Sequence, residues 1–140
     1  MRYMGLDVGD KRIGIALSDE DGVIASPKET FYRDGLMRDI DRLVEMASNA
    51  GVGEILVGMP VSMDGSIGPQ AQKVMKFIHT LSEKADIPVV PWDERLTTVA
   101  AERVLLNGDV SRKRRRHVID KIAAAYMLQG YLDFQSQKQK

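Results

Sequence analysis

Residues 2–18 read RYMGLDVGDKRIGIALS, and this stretch decides the fold. Two apolar runs, 2–8 and 12–18, flank a tight turn at Gly9 to Lys11, which predicts two antiparallel strands. Successive side chains point to opposite sides of a strand. Met4, Leu6 and Val8 therefore share one face, while Tyr3, Gly5, Asp7 and Gly9 share the other. In the second run Ile13, Ile15 and Leu17 alternate with Gly14, Ala16 and Ser18. Paired in register, the two strands present one bulky face and one face of small side chains with Asp7 among them. Asp7 alone reads as a turn residue, a phosphate-loop residue or one leg of a metal site, and the rest of the chain has to decide.

Moving outward, DEDG at 19–22 is a second turn, with a hairpin signal at Asp21-Gly22. VIASPKETF (23–31) reads as a third strand, and Pro27 inside it argues for a sheet edge. The period then changes. Leu36, Ile40, Leu43, Val44 and Ala47 follow helical spacing, with Asp34 as the expected cap and Gly51 as the stop. EILVGM (54–59) is a short continuous apolar strand of the buried parallel kind. A glycine-rich loop, PVSMDGSIG (60–68), precedes Pro69, which suits the first turn of a helix with the stripe Val74, Phe77, Ile78 and Leu81. IPVVPW (87–92) is a further strand. Thr97 or Thr98 is the expected cap of a third helix ending at Asn107-Gly108, and a basic run leads into a final helix of about 20 residues.

The order β-β-β-α-β-α-β-α-α predicts an α/β fold. It is a mixed five-stranded sheet, three antiparallel strands followed by crossover strands, with helices on both faces. That is the order of the ribonuclease H-like fold. The 140 residues suit one domain, 1–140, with a polar tail from about 135.

Composition narrows the chemistry. With no cysteine, disulfides, zinc–thiolate sites and thiol nucleophiles are excluded. Two histidines are too few for a histidine-rich centre, so any metal must take oxygen ligands, which points to Mg²⁺ or Mn²⁺. No apolar run is long enough to cross a bilayer, and MRYMGLDVG enters a strand at once rather than forming a leader. The expectation is a cytoplasmic protein with no membrane partner. The net charge is zero but unevenly spread: SRKRRRHVIDK (111–121) holds six Lys/Arg and one acid, giving +5 against −5 for the remainder. A focal basic patch points to nucleic acid as partner.

Three acids can converge. The final helix carries Ala123, Ala124 and Ala125, and Asp120 shares its face with Ala123, Ala124 and Met127. Small residues on sheet and helix permit close approach, so this helix is expected to pack across the first strand and bring Asp120 towards Asp7. The third acid lies in WDERLTT: Asp93 and Glu94 are adjacent, so on a strand they point to opposite faces. Glu94 has the longer reach and is favoured, although spacing alone does not settle the choice. Three carboxylates without Cys or His repel one another unless cations neutralise them. Two divalent ions roughly 3.5–4 Å apart would do so and would clamp both oxygens of a phosphodiester undergoing hydrolysis.

Each residue also has a simpler reading. An Asp between glycines is often a turn residue. Asp120, with Arg116 four and His117 three residues before it, could be a solvated ion pair; Glu94–Arg95 could be a charged strand end; RKRRR could be a solvated loop. The three acids beside a basic run favour the site. The turn Asp7-Val8-Gly9 also resembles the acid loop of sugar-kinase and actin-type ATPases, but those duplicate the fold, and 140 residues hold one copy.

GLDVGDKRIGIALSD, MPVSMDGSIGPQA, WDERLTT and IDKIAAAYMLQGYL resemble, in order and spacing, the motifs of the bacterial YqgF family, and the resemblance covers essentially the whole chain. Members are described as Holliday-junction-resolvase-like and as candidate nucleases maturing the 5′ end of pre-16S rRNA. The resemblance implies a ribonuclease H-like fold and a metal-dependent nuclease with catalytic, metal-binding acids at Asp7, Glu94 and Asp120. It also implies that the loop Met63, Asp64, Gly65 lies beside the site; Ser62 departs from the Asn common there. Lys11, Arg12, Asp64, Arg95, Arg112, Lys113, Arg114, Arg115 and Arg116 are the expected substrate-binding residues. The expected partner is structured RNA or branched DNA. Resolving a junction takes two symmetric sites and hence a homodimer, and the expected state is a monomer or a homodimer.

Overall fold

The computed structural model describes residues 1–60, 65–93 and 112–138, with side chains of the last segment described from 119 to 137. Strands β1 (Arg2–Val8), β2 (Arg12–Ser18) and β3 (Ala25–Tyr32) precede α1 (Leu36–Asn49), β4 (Val52–Met59), α2 (Pro69–Lys84), β5 (Val89–Asp93) and α3 (Arg112–Lys138). The sheet order is β3-β2-β1-β4-β5. The first three strands are antiparallel; β4 runs parallel to β1, and β5 parallel to β4. This is the mixed α/β sheet expected, with the Asp7 strand at its centre. The expected third helix, from Thr97 or Thr98 to Asn107-Gly108, lies outside the described residues.

β1 and β2 have the bounds that alternation predicts, and the turn between them closes on a 2.8 Å hydrogen bond from the Gly9 N–H to the Arg12 carbonyl. β3 starts two residues later than expected. The Asp19 carboxylate accepts the N–H groups of Val23 and Ile24 at 2.7 and 3.0 Å, which claims both residues for the loop. The bond from Ile24, then that from Val23, lowers the Asp19 pKa below 3.8. Pro27 lies on the edge strand as expected, opposite Ala16 and beside a register shift.

Asp34 does not cap α1. The cap position is Gly35, with φ 120°, and no side chain bonds there. Asp39, buried in the first turn, does the local work instead: its carboxylate accepts the Asp34 N–H at 2.9 Å and Arg33 Nε at 2.9 Å. Helix α3 has 27 residues rather than about 20. It begins within the basic run and continues through Gln135 to Lys138, residue types that favour helix.

The sheet divides the core. Met4, Leu6, Ile13, Ile15, Ile55 and Val57 pack against Ile40 and Leu43 of α1 and Val74, Phe77 and Leu81 of α2. The other face holds Ala16 and Leu56 against Ala124, Met127, Leu128 and Tyr131 of α3. Burying each large side chain contributes about 1.5–3 kcal/mol. No helix of the described residues is long and apolar enough to cross a membrane.

Candidate functional site

The site grows from the small-residue face. Asp7 pairs with Gly14 in the β1–β2 ladder. A Cβ at Gly14 would lie 2.1 Å from the Asp120 carbonyl oxygen and 2.7 Å from the Lys121 nitrogen, so only glycine fits beneath the α3 backbone. At Gly5 a Cβ would meet Leu128 Cβ at 3.0 Å and the Ala124 carbonyl at 3.2 Å. Helix α3 therefore packs close over both strands, and Asp120 stands directly over the residue paired with Asp7. Gly9 serves differently from expected: its Cβ would meet only the Arg12 carbonyl, at 3.1 Å, so its smallness belongs to the turn. Ala123, Ala124 and Met127, the residues sharing Asp120's helix face, are buried as predicted.

Asp120 is held across the gap. Arg12 Nε donates to Asp120 Oδ2 at 2.6 Å, with the two side chains 25% and 17% exposed. A hydrogen bond between charged, partly buried groups is worth about 1.5–3 kcal/mol. Arg12 opens β2, the strand paired with the one that carries Asp7, and Asp120 lies on α3, so this contact ties the Asp7 hairpin to the helix.

The choice between Asp93 and Glu94 turns on strand register. Met59 pairs with Asp93, and Gly58 with Trp92. Met59 packs with α1 and α2, whereas Trp92 packs with α3. Asp93 is thus on the α2 face, where with Met59, Ile78 and His79 it lines a groove, opposite the face of Asp7. Glu94, Arg95 and Asp64 lie outside the described residues, as do the side chains of Arg112, Lys113, Arg114, Arg115 and Arg116, whose backbone opens α3. Lys11 is exposed at the turn. Among the described residues no group of three or more His, Cys, Asp or Glu is placed to hold a metal; Asp7 and Asp120 are the two expected ligands that are described. Their donors are carboxylate oxygens, the type that Mg²⁺ and Mn²⁺ prefer, and Arg12 already places a cation against Asp120.

Sequence reasoning passed over the residues that support this turn. Arg33 donates from its backbone N–H to the Lys11 carbonyl at 2.9 Å and from its guanidinium to the Gly9 carbonyl at 3.0 Å. Its Nε is fixed by Asp39, only 2% exposed, and its guanidinium lies 5.3 Å from the Phe77 ring centroid. The available signal was an acid at position 39 in helical register with Leu36 and Leu43. On α3, Gln129 accepts the Ala25 N–H at 2.8 Å and donates to the Val23 carbonyl at 2.9 Å, which pins the β2–β3 loop to the helix. Further along, Tyr131 packs on Tyr3 and Trp92 and contacts Glu54 at 3.3 Å. Burial, and then the nearby Glu54 charge, raise the pKa of both Tyr3 and Tyr131.

Among solved structures, Thermus thermophilus RuvC in complex with a Holliday junction substrate superposes with a TM-score of 0.60 at 15% identity, over 97% of this chain and 96% of that one. The Fowlpox virus resolvase with its substrate Holliday junction DNA gives 0.58 at 10% identity, over 96% and 99%. Such low identities speak to the fold, which is ribonuclease H-like as expected. Among curated proteins, a "Putative pre-16S rRNA nuclease" of Desulforamulus reducens is 55% identical over 133 residues, covering 95% of this chain and 97% of the relative. One of the same name from Thermoanaerobacter pseudethanolicus is 51% identical over 139 residues, covering 99% and 100%. The family model described as "RuvX: Holliday junction resolvase" matches residues 1–134, and with these relatives it establishes that the chain belongs to the RuvX (YqgF) family.

Proposed function

We propose that this protein is a metal-dependent nuclease that hydrolyses phosphodiester bonds in the 5′ precursor region of 16S rRNA, as part of ribosome biogenesis in the cytoplasm. The observation that supports the reading is the seat of the Asp120 backbone over Gly14, the β-partner of Asp7, which packs the helix bearing one acid against the hairpin bearing the other. Asp7, Asp120 and Glu94 would hold Mg²⁺ or Mn²⁺. When bound, such ions activate water and stabilise the attacking and leaving oxygens of the phosphodiester. The chain's own cations serve the substrate instead. Lys11, Arg12, Arg95 and the run Arg112, Lys113, Arg114, Arg115 and Arg116 grip the phosphate backbone, with Asp64 at the rim. The names of the curated relatives support RNA as substrate.

A second reading, cleavage of branched DNA, draws its support from the description of the family model. It requires a homodimer with two sites, whereas RNA processing is open to a monomer. A 5′-extended rRNA precursor and a four-way DNA junction, each incubated with Mg²⁺ or Mn²⁺, separate the two. The expected result is metal-dependent cutting of the RNA by wild type and none by Asp7→Asn. Equal cutting by Asp7→Asn would defeat the site. Symmetric cutting of the junction by a dimer would replace the substrate. Tight binding without any cutting would make the protein an assembly factor.

A further inference from the structure

Asp120 already has a cation. Arg12 Nε sits 2.6 Å from Oδ2, a short charge-assisted hydrogen bond between opposite charges. A guanidinium held on one Asp120 oxygen and a divalent cation drawn to the same carboxylate repel each other, so each weakens the other's hold. The packing says which of the two partners is freer to move. The Asp120 backbone is seated closely on the sheet, its carbonyl filling the space left by the missing Gly14 side chain. The Arg12 main chain is fixed too, by the bond from Gly9 and by pairing with Tyr32. Its side chain, however, is a long stem ending in a charged group, one quarter exposed, on a turn next to exposed Lys11.

We propose that Arg12 is an exchangeable counter-ion. In the free protein it neutralises Asp120; when a divalent cation takes that carboxylate, the released guanidinium grips a phosphate of the bound strand. The proposal rests on the nuclease reading and adds to it a residue that couples metal loading to substrate binding. Without metal, Arg12 is occupied on Asp120 and contributes little to nucleic-acid affinity. With metal, it joins Lys11 in facing the strand. Arginine suits both stations, since its planar fork matches carboxylate and phosphate alike.

The test measures binding rather than turnover. Mn²⁺ affinity is read by electron paramagnetic resonance for wild type, Arg12→Gln, Arg12→Lys and Asp7→Asn. Affinity for a fluorescent 5′-extended rRNA fragment is read by anisotropy in Ca²⁺ and in chelator. Arg12→Gln is expected to bind Mn²⁺ about tenfold tighter, with Arg12→Lys close to wild type. Its RNA affinity should fall about fivefold in Ca²⁺ and less than about twofold in chelator. Thermal melts confirm that each variant is folded, and Arg12→Lys keeps the comparison informative should Arg12→Gln fail to fold. Mn²⁺ affinity of Arg12→Gln equal to or weaker than wild type, or an RNA loss that ignores metal, overturns the exchange while leaving the nuclease reading intact. Wild type that binds no Mn²⁺ sensitive to Asp7→Asn overturns both.

Discussion

Substituting Gly14 by alanine adds one methyl group where the helix backbone already is. The new Cβ would lie 2.1 Å from the Asp120 carbonyl oxygen and 2.2 Å from its carbon, whereas ordinary contact begins at 3.4 Å. The shortfall is about 1.3 Å, and it falls on main-chain atoms that cannot rotate aside. Helix α3 must lift or tilt by that much at Asp120. Overpacking of this kind costs about 1–3 kcal/mol, and contact with backbone places Gly14→Ala at about 3 kcal/mol. The consequence for the site is larger, because a displacement of about 1 Å in a catalytic group can cost about a hundredfold in rate. Gly130→Ala is the matched control: it lies on the same helix, and a Cβ there meets nothing within 4 Å. It should stabilise the protein by about 0.5–1 kcal/mol through helix propensity. Urea denaturation of both variants, with Mn²⁺ binding measured alongside, gives the answer. If Gly14→Ala unfolds within about 0.5 kcal/mol of wild type and binds Mn²⁺ as well, α3 is not clamped on Gly14 and the acid pair loses its structural basis.

Asp39→Ala would strand the partly buried Arg33 and free the Gly9–Arg12 turn; a loss of about 3–5 kcal/mol by denaturation is expected, and a loss below about 1 kcal/mol would show that the pair is dispensable. Tyr3 and Tyr131 have raised pKa values, so two of the four tyrosines should form tyrosinate only above pH 10.0, as followed by absorbance. Because the folded value exceeds the unfolded one, their contribution to stability is complete below pH 10.0 and is lost as pH climbs through the raised values; Tyr3 and Tyr131 titrating at pH 10.0 would contradict the burial described. In nucleic-acid binding, Lys113→Ala and Arg114→Ala should each lower the slope of log affinity against log salt by about 0.7–0.9, and an unchanged slope would remove the basic run from the interface.

What the sequence revealed depended on whether the signal was local. β1 and β2 were legible because alternation, the glycine turn and the apolar run all agree within 17 residues. Pro27 marked the sheet edge because a missing N–H has only one tolerable place in a sheet. The three alanines of α3 and the glycines opposite announced close packing, and the structure puts the closest approach at Gly14. The face of Asp93 could be read only with the Met59–Asp93 register in hand, since alternation separates two neighbours without saying which lies on which side. The Arg12–Asp120 pair spans 108 residues and has no local signature. Asp34 and Asp39 compete for the start of α1, and the buried acid won because Arg33 was in reach to neutralise it. A cap rule that reads residue types in order cannot see that partner.

The distance along the chain between Asp7 and Asp120 has a consequence for when the site comes into being. The sheet meander that carries Asp7 is complete by Tyr32, and its hairpin contacts are among the most local in the fold. The helix that carries Asp120 begins at Arg112. Closing so long a loop is a late and entropically costly event, so the contact belongs to the slow, non-local part of folding. A chain still being synthesised can build its first three strands, but it cannot bring the two acids together until α3 has emerged and found Gly14. Assembly of the acid pair thus reports that the chain from β1 through α3 has been made and has folded.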